Sequence, residues 1–360
     1  MLKKAAALVL VCASVGIWVS CGTTTGRLLY AAVPNSNELV VYREDPNSGA
    51  LTQLVGSPIA AGPGVRALAL HPSQKFLYAV NTGENDVSFF KVSTSGGLTE
   101  ITPRIPVGTA PTLIAMDSAG TYLYVGNTGQ QPSISVFSIA TDGSLHTVPQ
   151  PPSTGNTAFI GLTPINMAVS SNNVLYVTGQ GLQGYVVPFP LTNGVLGTPP
   201  PQSPFVTDPD PYGLAISSSG SNLYTANKLN ASISEFSIAS GGGLTALHGS
   251  PVSISFTSPT ALLIDPSGKY LYAADQGSTN LEGFTIGSDG SLNLLASAPF
   301  TTGSQPSALA CDSAGRYLFV GNQSSPSIQS FFLDSATGTL TLISTYSVAP
   351  GAPTSMVLTK

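Results

Sequence analysis

Along most of the chain, bulky apolar residues alternate with small or polar ones in short runs. Each run stops at a cluster of Gly, Pro, Asn, Asp or Ser. A period of two reads as half-buried β-strand, and the punctuating residues read as turns. Residues 259–297 show the pattern in full. PTALLID gives one strand, PSGK a turn, YLYAAD a second strand and GSTN another turn. LEGFTIG is a third strand, and SDG leads tightly into SLNLLAS, a fourth. In the third strand Leu281, Gly283 and Thr285 share one face, and Glu282, Phe284 and Ile286 share the other. Gly290 supplies the positive φ that the SDG turn needs.

The unit recurs. Its central tyrosine, Tyr272, has counterparts at Tyr30, Tyr78, Tyr124, Tyr176, Tyr224 and Phe319, at intervals of 48, 46, 52, 48, 48 and 47 residues. The turn glycine recurs as Gly49, Gly96, Gly143, Gly194, Gly242, Gly290 and Gly338, each two residues before a leucine. A proline opens the first strand at Pro111, Pro164, Pro211, Pro259, Pro306 and Pro353, with Val65 in the remaining copy. One four-stranded sheet cannot bury both faces alone and needs stacked neighbours. A period near 48 with four antiparallel strands per copy predicts an all-β, seven-bladed β-propeller. The repeats begin on a second strand, LLYAAV (28–33), and end on an unpaired first strand, PTSMVLTK (353–360). The C-terminal strand is therefore expected to complete the first blade and close the ring. One domain is expected over residues 28–360. Its fourth repeat is the most degenerate: Pro188 and Pro190 are expected to weaken the ladder of the third strand there.

Composition changes the picture mainly at the N-terminus. Residues 1–20 read as a signal peptide: Lys3 and Lys4 precede an apolar run over 5–19, too short for the ~20 residues that span a bilayer. Cys21 follows Trp18-Val19-Ser20 in a lipobox-like setting. It is the expected lipid attachment site, with 21–27 as a tether. The expected location is a membrane-anchored lipoprotein facing the periplasm or cell exterior. The alternative is a soluble periplasmic or secreted protein. Charged residues make up 8% of the chain, against ~25% in an average domain. Without residues 1–20 the formal charge moves from 12 − 17 = −5 to 10 − 17 = −7. An acidic surface argues against nucleic acid and against charge-driven membrane binding, so contact with a membrane is expected only through the lipid anchor. A monomer is expected.

The histidines offer no catalytic set. His71 aligns with the turn residues Asp117, Asp265 and Asp312, and His146 and His248 fall on outer strands. No GxSxG is present, no spacing suggests zinc, and no cofactor is expected. Cys311 reads as a small core residue. Residues common to all blades serve the architecture, whereas residues that break the repeat near the axis are candidates for function. The residue after the opening proline varies most: Arg66, Thr112, Ile165, Tyr212, Thr260, Ser307 and Thr354. Arg66 and Tyr212 stand out by chemistry, and Lys228 is a cation where most copies are uncharged. Asp208 and Asp210 lie beside Tyr212, and Asn166 and Gln305 add amides. These seven are expected to line one mouth of the central funnel.

PSGKYLYAAD, strands of the SISVFSI type and the GSL turn resemble the lactonase-type seven-bladed propellers, which include a form of 6-phosphogluconolactonase. LYVGN (123–127) is similar to the related YVTN surface-layer repeats. The resemblance spans residues 28–360 and implies a funnel site that polarises a lactone carbonyl and handles protons. Enzymatic members carry a His where this chain has Ile165, a Pro-Arg-His run where it has Pro211-Tyr212-Gly213, and a Glu where it has Lys228. On those departures the first expectation is a cell-envelope scaffold that binds a saccharide, lactone or protein. The alternative is a hydrolase of a sugar lactone, and a second alternative is a surface-layer component.

Overall fold

The computed structural model describes residues 26–151, 157–180, 183–255, 257–349 and 351–360. Residues 1–25, which hold the expected signal peptide, Cys21 and most of the expected tether, lie outside the described residues. The described chain is all strand and turn, arranged in seven antiparallel sheets. Residues 259–301 form the sixth blade. Its inner strand is Pro259–Ile264, its second Tyr270–Asp275 and its third Asn280–Ile286. Tyr272 pairs with Leu263 on one side and Gly283 on the other, the register that the alternating pattern requires. Each inner strand contacts the inner strand of the next blade all the way round, which closes a ring about a central channel.

The closure joins the chain ends. Ser355–Leu358 pairs antiparallel with Arg27–Val33, placing Val357 opposite Tyr30. The Thr359 hydroxyl accepts the Leu28 N–H at 2.7 Å. Arg27, expected at the end of the tether, is instead the first residue of this strand. Its guanidinium lies 3.2 Å from both the Glu44 and the Asp312 carboxylates, so it ties the first blade to the seventh.

The outer edges are more divided than a four-stranded blade implies. In five blades a further short strand also pairs with the third strand, as Phe300–Thr301 does beside Leu292–Leu294. A proline sits between the two pieces at Pro58, Pro204, Pro251 and Pro299, where it removes a ladder donor. In the fourth blade, the ladder between the second and third strands runs unbroken from Val174↔Pro190 to Gln180↔Gly184. Pro188 and Pro190 leave that register intact, and the N–H groups they lack are missing on the third strand's other side, where the ladder to the outer strand is confined to Leu191 and Thr192. The outer strand of this blade, Val195–Leu196, is only two residues long.

The core lies between blades, with one apolar cluster at each of the seven interfaces. Two of the repeat's own markers meet there. The Tyr272 hydroxyl donates to the carbonyl of Gly338 in the next blade at 2.7 Å. Tyr30–Gly96, Tyr78–Gly143, Tyr176–Gly242 and Tyr224–Gly290 repeat the bond. Burial pushes these phenols up, that of Tyr176 to about 12. They are therefore fixed as neutral donors.

Candidate functional site

A cavity of about 680 Å³ occupies one mouth of the channel. That lies within the ~300–1,000 Å³ usual for small-molecule sites. All seven inner strands contribute to it, because each enters at this mouth with the residue after its opening proline or valine. Arg66, Thr112, Ile165, Tyr212, Thr260, Ser307 and Thr354 form the upper rim. Two residues further along their strands, Leu68, Ile114, Leu214, Leu262 and Leu309 form an apolar floor ~7 Å lower. The result is a polar bowl above an apolar base. No Asp, Glu or His is among its lining residues.

Arg66 is exposed to the bowl, and its guanidinium has no ion-pair partner among the described residues. Its carbonyl accepts the Thr354 hydroxyl at 2.9 Å, which holds the backbone beneath it. Tyr212 is 38% exposed, and the Lys228 ammonium lies over its ring, 4.8 Å from the centroid. Such a contact contributes ~0.5–1 kcal/mol at an exposed site and keeps the cation at the bowl's edge. Asn166 acts on the backbone. Its Nδ2 donates to the Tyr212 carbonyl (2.8 Å) and its Oδ1 accepts the Met167 N–H (2.8 Å), so it sets the approach of the fourth blade to the fifth.

Lys228 touches the bowl only through Tyr212 and is not among its lining residues, and Asp208, Asp210 and Gln305 do not line it either. Asp210 and Gln305 precede the opening proline at φ 60° and 58°, a position that Ala110 and Gly64 fill elsewhere at 50° and 68°. Their carbonyls accept the N–H of Lys228 and Gln323, so they shape a turn. The Gln305 Oε1 also accepts the Ser324 hydroxyl at 2.6 Å. Asp208 accepts the Ser232 hydroxyl at 2.6 Å and is likewise held in the loop. Sequence alone could not separate these residues from Arg66, because the bulge that follows the opening residue decides which side chains face the axis.

Two lining residues escaped the sequence reading. Gln276 and Gln323 follow the strand-end residues Asp275 and Asn322, and the Gln276 Nε2 donates to the Gln323 Oε1 at 2.8 Å. The available signal was that Thr82 and Thr128 give way to glutamine in two consecutive copies. The strand-end asparagines themselves are structural. Asn81, Asn127, Asn227 and Asn322 are buried and donate to Ser or Gln of the adjoining third strand.

The histidines stay clear of the bowl. His71 accepts the Ser73 N–H at Nδ1 (3.1 Å), so its proton sits on Nε2, which donates to the Gly120 carbonyl (3.0 Å). It borders a second cavity of about 490 Å³ at the opposite mouth, with Cys311 and Lys360. Burial pushes the Cys311 thiol well above its usual range, which keeps it protonated. Among the described residues, no group of three or more His, Cys, Asp or Glu side chains gathers into a metal-binding cluster.

Comparison with known proteins agrees with this architecture. The structure is similar to a candidate 6-phosphogluconolactonase from Bacteroides fragilis NCTC 9343, with a TM-score of 0.78 and 21% identity over 94% of this chain and 99% of that one. A periplasmic gluconolactonase from Pseudomonas aeruginosa gives 0.76 and 20% over 93% and 99%. Hydrazine synthase of Kuenenia stuttgartiensis gives 0.64 and 16% over 84% and 94%. At these identities the likeness establishes the fold alone. No curated protein sequence matches the chain. The family described as lactonase, seven-bladed β-propeller, matches residues 63–162, 198–300 and 284–358. The chain belongs to the lactonase family of seven-bladed β-propellers.

Proposed function

We propose that the bowl binds a sugar lactone and opens it by hydrolysis. This reading is favoured over a scaffold without turnover by the family match and by one feature of the site. A guanidinium with no ion-pair partner among the described residues faces a cavity whose described lining residues include no carboxylate. In the reaction, a water oxygen adds to the lactone carbonyl carbon and the carbonyl oxygen takes up negative charge. Collapse breaks the bond to the ring oxygen, which leaves with a proton, and the product is a hydroxy acid ionised at neutral pH. Arg66 can stabilise the oxyanion and then hold the carboxylate. The Lys228 ammonium, parked on Tyr212, adds positive charge at the same edge. No imidazole or carboxylate is among the described lining residues, so the water's proton passes to solvent, and the acceleration rests on charge stabilisation and positioning.

The test is hydrolysis of gluconolactone, with and without a 6-phosphate, by the purified protein against the spontaneous rate. Hydrolysis above background that falls ~10²-fold in kcat for Arg66→Ala is expected, the low end for losing an oxyanion donor because Arg66 is exposed. A background rate in the wild type would reject the hydrolase. The missing histidine at Ile165 and Gly213 favours the second reading, a binding propeller. That reading predicts saturable binding of gluconate or gluconolactone without turnover.

A further inference from the structure

The wall formed by the sixth and seventh blades has a chemistry unlike the rest of the bowl, and it bears on which lactone fits. Gln276 and Gln323 stand 47 residues apart, at one register position in consecutive copies. Their mutual hydrogen bond, at 2.8 Å, orients both amides. It consumes one donor and one acceptor, and leaves the Gln276 Oε1 as an acceptor beside an Nε2 donor on Gln323. Reversing both amides leaves the same inventory. The backbone beneath is fixed: the Gln276 N–H donates to the Ser258 carbonyl and the Gln323 N–H to the Gln305 carbonyl, each at 2.9 Å. On the same wall, the Thr260 and Ser307 hydroxyl oxygens are buried without a partner among the described residues. A rotation about χ1 turns either toward a ligand.

A paired donor and acceptor of this kind is satisfied by a hydroxyl, which gives one hydrogen bond and accepts another. A phosphate oxygen only accepts, so it would face the amide oxygen without a proton to share. No cation is among the residues that these two blades contribute to the wall. We infer that Gln276 and Gln323 are specificity-determining residues that read the free hydroxyls of the substrate's carbon chain. They select neutral polyhydroxylated lactones over their phosphate esters and over unsubstituted lactones. The inference rests on the lactone reading above and orients the substrate. The carbonyl lies toward Arg66, and the hydroxyl-bearing chain lies against the amide pair.

The experiment compares wild type, Gln276→Leu, Gln323→Leu and Gln323→Glu on gluconolactone, 6-phosphogluconolactone and δ-valerolactone. Calorimetric binding of gluconate and 6-phosphogluconate runs in parallel, and thermal melts control for folding. Wild type is expected to prefer the unphosphorylated sugar by at least ~10-fold in kcat/KM, the effect of about one hydrogen bond. Each leucine variant should lose that preference through KM, with δ-valerolactone unaffected. Gln323→Glu keeps an acceptor for Gln276 but removes the free donor, so its KM for gluconolactone should rise as in the leucine variants, while its negative charge disfavours the phosphate ester further. Hydrolysis with unchanged selectivity in the variants would overturn the inference while leaving the lactonase reading standing. Binding of gluconate that is lost in the variants, with no turnover by wild type, would uphold the amide pair and reject the hydrolase. Neither turnover nor binding by wild type would reject both.

Discussion

Glu282 is the residue at which the repeat changes its chemistry most. Its counterparts Ser88, Ser135, Ser234 and Gln329 each accept a hydrogen bond from a strand-end asparagine. In the sixth blade both partners are acids, Asp275 and Glu282, and both are buried. Glu282 accepts the Ser255 N–H at 3.3 Å through Oε1, while Oε2 has no partner among the described residues. Burial, reinforced by the Asp275 charge, raises its pKa. A raised carboxyl pKa means that the fold favours the protonated form. Its contribution to stability is therefore present below the usual carboxylate range and is lost as pH rises through the raised value. Glu282→Gln is expected to stabilise the protein at neutral and alkaline pH, with little change near pH 4. Melts of both proteins between pH 4 and 8 check this, and parallel pH profiles would contradict it. The asparagine positions were legible because they recur. That Glu282 lacks a partner for one oxygen was not, since Glu at an alternating strand position reads equally well as solvent-facing.

Between elements, the bond from a blade's tyrosine to the next blade's glycine explains why these two markers are the most regular in the chain. The glycine carbonyl accepts the phenol, and the glycine also has to admit an aromatic ring. A Cβ on Gly338 would lie 2.5 Å from the Tyr270 ring at a φ of +72°, so a side chain is excluded twice. Tyr272→Phe removes the donor and leaves the Gly338 carbonyl buried and unpaired. A loss of ~1–2 kcal/mol is expected, read as a lower denaturant midpoint at unchanged slope. An unchanged midpoint would show that the bond contributes nothing. Alternation and turn residues were enough to place each strand within a blade. They could not show that the tyrosine of one copy bonds the glycine of the next, because the two lie 66 residues apart. Only stacking makes them neighbours.

At the scale of the whole molecule, the ring is held at one seam by a strand of four residues, Ser355–Leu358. Met356 is buried and Leu358 packs against the cluster between the first and seventh blades. Val357 packs against the cluster between the first and second blades. At ~1.5–3 kcal/mol per buried apolar side chain, their removal costs on the order of 5 kcal/mol, comparable to the ~5–15 kcal/mol that stabilises a whole domain. Deleting residues 353–360 is therefore expected to lower the melting temperature sharply and broaden the transition. A melt unchanged by the deletion would show that the seam is not needed. Arg27 works at the same seam. It offsets two buried carboxylates from different blades, a role invisible in a sequence where it reads as the last residue of a polar tether.

The sequence by itself determined the number of blades, the strand register and the way the ring closes. Those follow from a local period of two inside a longer period near 48, and seven copies repeat the message. It also marked Arg66, Tyr212 and Lys228, because they break that repeat. Tertiary structure alone decided which irregular residues share a space. The ring brings inner strands from seven copies around one channel, and a bulge after the opening residue in six of them turns some side chains inward and leaves others in the loop. Arg66 and Tyr212 therefore face one bowl, Asp208, Asp210 and Gln305 do not, and Gln276 meets Gln323 across a blade boundary.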